Sequence, residues 1–130
     1  MIILSIRTDK PEAEVGIYDN DKQLAYRAWQ AHLELSKTIH KEIEKILNMS
    51  SISWRDIEGI VCYEGPGSFT GLRIGLSVAN ALAYANQIPV VTTSGDNWIK
   101  TGNKKLQAGQ NDHIVLPKYD RPAATTPPKK

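Results

Sequence analysis

The sequence predicts an α/β domain with a mixed sheet and two main helices. Three short segments typical of strands come first, a segment with helical periodicity follows, and a buried strand, an apolar helix and a last strand complete the pattern. The 130 residues hold 16 Lys and Arg against 14 Asp and Glu, so no strong overall charge points to a partner. We therefore expect one domain of ordinary globular composition.

The first three segments predict an antiparallel meander at the start of the sheet. Residues 1–8 are mostly β-branched or aliphatic, and residues 14–19 and 22–29 have the composition of two further strands. Asn20 and Asp21 are residue types that favour a tight turn between the second and third strands. The three segments are therefore expected to pair in chain order.

A segment with helical periodicity follows the meander. Its apolar residues recur three or four positions apart and are separated by charged ones, which predicts an amphipathic helix of about four turns. These apolar residues are Leu35, Ile39, Ile43, Ile46 and Leu47. The later elements are a capped helical turn over 53–56, a buried strand over 57–63, a glycine loop over 65–71, a second helix over 72–86 and a last strand over 89–93.

The second helix is apolar on nearly every side, and Arg73 is its only charged residue. Such a helix has to be covered on two sides. Gly71, Gly75 and Ala79 lie four residues apart and form a seam of small residues that would allow close backbone approach. We therefore expect a partner protein against this helix. The alternative is a helix wedged between the sheet and the first helix of the same chain.

The glycine loop lies between a strand and a helix, where backbone N–H groups can bind an anion. The spacing of Gly65, Gly67 and Gly71 fits neither the dinucleotide fingerprint nor the P-loop, and the residues around Ser68 do not form a nucleophile elbow. A structural role for the loop stays open beside phosphate binding. If the loop does bind a phosphate, Gly67, Ser68 and Thr70 are the candidates.

The other residues with reactive side chains favour no site of their own. His32, His40 and His113 lack an accompanying Cys or Asp cluster, so no metal site is expected. Cys62 is the only cysteine, which excludes an intrachain disulfide, and its place in an apolar strand predicts a buried thiol. No stretch approaches the ~20 apolar residues of a membrane span, so we expect a cytoplasmic protein without membrane contact.

The charge changes sign along the chain. Residues 1–96 hold nine basic and twelve acidic side chains, whereas residues 97–130 hold seven basic and two acidic ones and are poor in large apolar groups. This shift predicts that the globular part ends near residue 100. The expected divisions are a globular lobe over 1–100, a linker over 101–113, a docking segment over 114–122 and a disordered tail over 123–130.

One string of residues makes a family resemblance visible. GPGSFTGLRIG follows an aliphatic strand and precedes an Ala-rich helix, and it resembles the signature of the bacterial TsaB family, also called YeaZ. The signature residues are Gly65, Pro66, Gly67, Ser68, Phe69, Thr70, Gly71 and Arg73. Near the end of the chain, Pro117, Tyr119 and Arg121 resemble the closing P-x-Y-x-R segment of the same family.

The resemblance implies a fold and a function. The fold is one lobe of the acetate kinase, sugar kinase, Hsp70 and actin type, which is similar to ribonuclease H. The function is that of a non-catalytic scaffold subunit that binds the catalytic protein TsaD and works with TsaE. That complex forms N6-threonylcarbamoyladenosine at position 37 of tRNA. ATP and threonylcarbamoyl-adenylate are used by the complex, and the subunit is expected to have no cofactor of its own.

In the family the first two helices make the partner contact. The residues expected at that interface are His32, Leu35, Ile39, Ile43, Gly71, Leu72, Gly75, Leu76, Ala79 and Ala83. Two other functions stay open: a small nucleotide-binding enzyme that uses the loop over 65–71, and a homodimer that buries the same helices. The basic residues after position 97 either contact tRNA phosphates or belong to a solvated linker.

Two departures from the family pattern bear on catalysis. Arg7 stands where the family has an Asp at the end of the first strand, and Asp9 is two residues out of register. The second lobe of the family is expected to be missing, which would leave a minimal form of the subunit. Because nucleotide sites of this superfamily lie between two lobes, we expect no ATP site in this chain by itself.

Overall fold

Five strands and three helices follow one another in the computed structural model, which describes residues 1–67 and 69–116. In chain order they are β1 (Ile2–Arg7), β2 (Glu12–Asp19), β3 (Lys22–Gln30), α1 (Leu35–Ser50), β4 (Gly59–Tyr63), α2 (Phe69–Asn86), β5 (Val90–Thr93) and α3 (Trp98–Gln107). The strands form one sheet in the order β3-β2-β1-β4-β5. β1 pairs antiparallel with β2 and parallel with β4, so the predicted mixed sheet is confirmed.

The meander forms as the sequence predicts. Asn20 occupies the turn between β2 and β3 with a φ of 55°, a left-handed conformation that Asn tolerates better than most residues. Its backbone N–H donates to the carbonyl of Met1 at 2.8 Å, which closes the hairpin onto the start of β1. The register runs from Ile2 opposite Asp19 to Arg7 opposite Glu14, which places the end of β1 beside the start of β2.

The apolar stripe of α1 packs on β2 and β3. The helix is capped after Ser50 by Ser51, whose φ of 58° is a left-handed conformation. The inward face also carries one charged residue, Glu42, which is buried. Its carboxylate accepts hydrogen bonds from Arg27 Nε of β3 and, at 3.1 Å, from Lys45 Nζ one turn further along α1. Burial raises the pKa of Glu42, but these two cations outweigh it and hold the pKa below its ordinary value of 4.5.

This buried network predicts a pH-dependent stability. Because the pKa of Glu42 is lower in the folded chain, its carboxylate stabilises the fold above pH 4.5, and this contribution is lost as the pH falls through the folded pKa. Glu42→Gln should therefore cost about 1 kcal/mol of unfolding free energy at pH 7 and progressively less under acidic conditions. Urea unfolding at several pH values measures this, with exposed Glu44→Gln as the control. A cost that stays constant down to pH 3 would contradict the assignment.

β4 lies at the centre of the core, and all five of its residues are buried. Gly59 and Val61 face α3, since a Cβ on Gly59 would lie 2.9 Å from Leu106 and one on Gly102 would lie 2.3 Å from Val61. The alternate residues of β4 point to the opposite face, which α2 covers. α1 and α2 contact each other on that face. The sheet therefore lies between two helical layers, with α1 and α2 on one face and α3 on the other.

The third helix corrects one prediction. Residues 101–107 were expected to belong to a linker, but they form most of α3, which buries Trp98, Gly102, Asn103 and Leu106. The helix needs few large apolar side chains because Gly102 lets its backbone lie directly on the sheet. The globular part therefore extends beyond residue 100.

After α3 the chain follows the outer edge of β5 as a segment that we call the edge strap, residues 111–116. Asn111 Oδ1 accepts from the backbone N–H of Val90 at 3.1 Å, and Asp112 Oδ2 accepts from that of Thr92 at 3.2 Å. Val115 is buried and exchanges two hydrogen bonds with the side chain of Asn80 on α2. The first residues of the predicted docking segment thus contact the lobe.

The remaining predictions for the end of the chain lie outside the described residues. They concern the closing residues Pro117, Tyr119 and Arg121 and the expected tail over 123–130. No helix among the described residues is long and apolar enough to cross a membrane.

Candidate functional site

The glycine loop leaves β4 at Tyr63 and packs against the end of β1. Gly65 has a φ of 111°, which favours glycine, and its peptide bond to Pro66 is cis. A Cβ on Gly67 would lie 2.4 Å from Cβ of Asp9, so only glycine allows the loop to approach Asp9 this closely. The described part of the loop therefore contacts the chain's own backbone where a phosphate-binding loop would contact its ligand.

Thr8 joins the loop and α2 to the end of β1. Its hydroxyl donates to the carbonyl of Gly71 at 2.7 Å, and a Cβ on Gly75 would lie 2.1 Å from the same Oγ1 atom. The seam of small residues thus provides the close backbone approach that the sequence predicts. The element that approaches is β1 of the same chain.

Arg7 and Asp9 form a bidentate ion pair beside the loop. Arg7 Nε donates to one carboxylate oxygen of Asp9 at 2.7 Å, and Nη2 donates to the other at 3.2 Å. The hydrogen bond with Asp9 raises the pKa of Arg7 further. The guanidinium also lies 4.0 Å from the ring centroid of Tyr63, which packs edge-on against Trp98. Both carboxylate oxygens of Asp9 therefore bind a cation that the chain itself supplies.

The three candidates for phosphate binding do not form one site among the described residues. Gly67 packs on Asp9, Thr70 lies exposed on the first turn of α2, and Ser68 lies outside the described residues. The arrangement of the described loop favours a structural role. It fixes where α2 begins relative to the sheet.

Most residues of the predicted interface belong to the core of this lobe. Eight of them are buried, namely Leu35, Ile39, Ile43, Leu72, Gly75, Leu76, Ala79 and Ala83. Their side chains belong to the interior of the folded lobe, although Leu35 also lines a hollow on its surface. Direct contact with a partner at these positions stays a prediction that their burial does not favour, whereas His32 is exposed and Gly71 is partly exposed. The inner side of α2 instead fits the alternative, in which this helix packs against the sheet and the first helix of the same chain.

The outward side of the same helices combines residues that the sequence analysis named for other reasons with residues that it did not name. A groove of about 430 Å³ lies between α1 and α2 and is lined by Ser36, His40, Thr70, Arg73, Ile74, Ser77 and Val78. An adjoining hollow of about 370 Å³ shares Thr70 and Ile74 and reaches His32 and Leu33. We call these two depressions together the outer groove. The sequence does contain a signal for this groove, because α2 is apolar on nearly every side.

Two large apolar side chains stand exposed on this side of the lobe. Leu33 is 95% exposed at the entrance to α1, and Tyr84 is 87% exposed near the end of α2. Ile74, Val78 and Leu82 are only partly buried against the core. By contrast, Cys62 is buried as predicted, and its burial raises the pKa of the thiol. The outer groove is therefore a surface depression with exposed and partly buried apolar side chains in and beside it.

Comparison with known proteins finds relatives whose names refer to tRNA threonylcarbamoyladenosine. A family model described as TsaD, tRNA N6-adenosine threonylcarbamoyltransferase, matches residues 29–95. The tRNA threonylcarbamoyladenosine biosynthesis protein TsaB of Escherichia coli (strain K12) is 32% identical over 83% of this chain and 49% of its own length. The protein of the same name from Bacillus subtilis (strain 168) is 30% identical over 92% of this chain and 50% of its own.

A solved structure shares the fold. YeaZ from Pseudomonas aeruginosa superposes with a TM-score of 0.67 at 24% identity and covers 72% of this chain and 43% of its own. The chain thus spans about half the length of the curated relatives it matches.

Proposed function

Since the chain belongs to the family that the TsaD model describes, in its TsaB (YeaZ) branch, we propose that it is a non-catalytic scaffold subunit that binds TsaD. It would serve the formation of N6-threonylcarbamoyladenosine at position 37 of tRNA. The relatives named TsaB carry this biosynthesis in their names. The observation that carries the proposal for this chain is the outer groove, a depression between two helices in which Leu33, Ile74 and Val78 lie among polar side chains.

The chemistry of the outer groove suits a protein partner. Leu33 in the groove and Tyr84 further along α2, outside the groove, expose large side chains that a partner could bury, and aromatic anchors often dominate interface energies. Ile74 and Val78 lie between them on one side of α2, where a partner helix could pack. A pair of helices on TsaD laid over α1 and α2 would complete a four-helix arrangement.

The end of β1 supports the non-catalytic part of the proposal. Arg7 donates to both carboxylate oxygens of Asp9, so the negative charge that could attract a metal ion is compensated by a cation of the chain itself. Gly67 packs on Asp9, so this part of the loop contacts the chain itself. We therefore propose that ATP and threonylcarbamoyl-adenylate are handled by TsaD and TsaE and that this chain supplies the docking surface.

The proposal predicts that a charge in the outer groove abolishes partner binding without unfolding the lobe. In Val78→Glu the new carboxylate would lose its water when a partner covers the groove, so binding of TsaD should weaken at least about tenfold. Titration calorimetry with TsaD measures the affinity, and circular dichroism checks the fold. The control is Gln107→Glu, at an exposed position of α3 on the other face of the sheet, which should bind TsaD with the native affinity.

Unchanged TsaD affinity of a folded Val78→Glu protein would refute the docking surface. The mass of the isolated chain, measured by light scattering with and without TsaD, separates the scaffold from the homodimer alternative. If the chain forms a dimer through the outer groove that TsaD does not replace, self-association is its function. Reconstitution with TsaD, TsaE and unmodified tRNA then shows whether the modified nucleoside requires this chain.

A further inference from the structure

We propose that a depression beside α3 binds a small zwitterionic ligand of the α-amino acid type. The depression has a volume of about 420 Å³ and lies between α3 and the turn that joins β2 to β3. The residues of its wall that carry the argument are Tyr18, Asp21, Asp96, Trp98, Lys100 and Asn103. The outer groove lies between α1 and α2, so this inference goes beyond the proposed function and does not depend on it.

The side chain of Asn103 is the observation that points to a ligand. It is only 1% exposed, and its Nδ2 donates to the backbone carbonyl of Asn20 at 2.8 Å. Because that carbonyl can only accept, the orientation of the amide is fixed. The other amide atom, Oδ1, is buried and has no hydrogen-bond partner among the described residues. A buried acceptor without a donor is unfavourable, so an N–H group of a ligand would be bound favourably here.

Three exposed charged side chains surround this acceptor. Asp21 follows Asn20 in the turn, Asp96 precedes α3, and Lys100 lies three residues before Asn103 on the helix. No ion pair of 4.0 Å or less joins Lys100 to either carboxylate among the described residues. Opposite charges thus line one depression without binding each other directly, and a ligand that carries both charges could connect them.

These groups match the two ends of an α-amino acid. An ammonium group has three donors, which suit Asn103 Oδ1 and the carboxylates of Asp21 and Asp96. The carboxylate of the same ligand would pair with Lys100, since residues three apart on a helix have Cβ atoms about 5 to 6 Å from each other. An amine without a carboxylate would leave Lys100 unpaired beside a second cation, and an acid without an amine would meet two carboxylates.

The test uses L-alanine as the smallest suitable probe, with ethylamine and propionate as its two halves. In the full chain labelled with ¹⁵N, L-alanine should shift the NMR signals of the Asn103 side-chain amide and of residues 96–103. We expect a dissociation constant of about 1 mM. Ethylamine and propionate should each bind at least about tenfold more weakly, because each makes only half of the charged contacts.

Substitutions in the wall check which groups bind the probe. Lys100→Gln and the double variant Asp21→Asn/Asp96→Asn change only exposed side chains, so the fold should be kept, which circular dichroism verifies. Each should weaken L-alanine binding by about fivefold. Lys104→Gln is the matched control, since it removes an exposed lysine of the same helix that does not line the depression, and it should bind with the native affinity.

Three results would overturn the proposal. The first is no change in the Asn103 signals at tenfold the expected dissociation constant, which would mean that only water meets Oδ1. The second is equal affinity for L-alanine and ethylamine, which would reduce the site to one for simple amines. The third is an equal loss in Lys100→Gln and Lys104→Gln. TsaD affinity should stay native in all these variants, so a failure here is recognised separately from a failure of the docking surface.

Discussion

Ala79→Glu is expected to destabilise the lobe more than any other single substitution considered above. The side chain of Ala79 is completely buried on the side of α2 that faces the sheet. A carboxylate placed there would lose its hydration among apolar neighbours, which should cost about 3 to 5 kcal/mol of unfolding free energy. Because small domains are stable by only about 5 to 15 kcal/mol, this loss would remove a large share of the total stability.

Ala81→Glu is the matched control for this substitution. It changes the same residue type to the same side chain two positions later in α2, where the residue is exposed. Its unfolding free energy should stay within about 0.5 kcal/mol of the native value. Urea unfolding followed by circular dichroism measures both variants. Equal stabilities would contradict the burial of Ala79 on the inner side of α2, and a larger loss in Ala81→Glu would mean that the two sides of the helix are exchanged.

The second large effect is expected at Gly102, where α3 lies on β4. A Cβ at this position would lie 2.3 Å from Cγ1 and 2.7 Å from Cγ2 of Val61, so Gly102→Val forces the helix away from the sheet. Overpacking of this kind should cost about 3 kcal/mol, more than the helix propensity gained on replacing glycine. Thermal unfolding should show the loss as a lower Tm.

A second substitution tests the cause of that loss. Val61→Ala removes both methyl groups that the new side chain would meet, so the double variant Val61→Ala/Gly102→Val should lose less stability than the sum of the single losses. Additive losses would indicate that Gly102 is needed for another reason. If Gly102→Val alone left the Tm unchanged, α3 would not be packed on β4 in solution.

The sequence was sufficient for the elements whose apolar residues recur regularly. The meander, α1, α2 and the mixed sheet followed from periodicity and turn residues. α3 did not, because its contact with the sheet depends on Gly102, and a glycine contributes nothing to an apolar pattern. A helix with Lys, Thr, Asn and Gln at most positions has the composition of a linker until its distance from the sheet is known.

The two sides of α2 show a second limit of sequence-based prediction. Ile74 and Ala79 are both apolar, and nothing in the pattern tells which of them meets the sheet. The topology decides this, because Thr8 at the end of β1 fixes the rotation of α2 through Gly71 and Gly75. Most residues of the predicted interface therefore lie on the inner sides of α1 and α2. The unusual Arg7 was recognised, but its pairing with Asp9 requires the three-dimensional position of both.

The edge strap has a consequence for how the sheet could grow. A border strand with free N–H and C=O groups can act as a template for strands of other molecules and so begin aggregation. On β5 the side chains of Asn111, Asp112 and Lys105 bond to the outward backbone groups of Val90 and Thr92. These polar caps occupy the positions that a foreign strand would need. Polymerisation through the β5 border would first have to detach the strap.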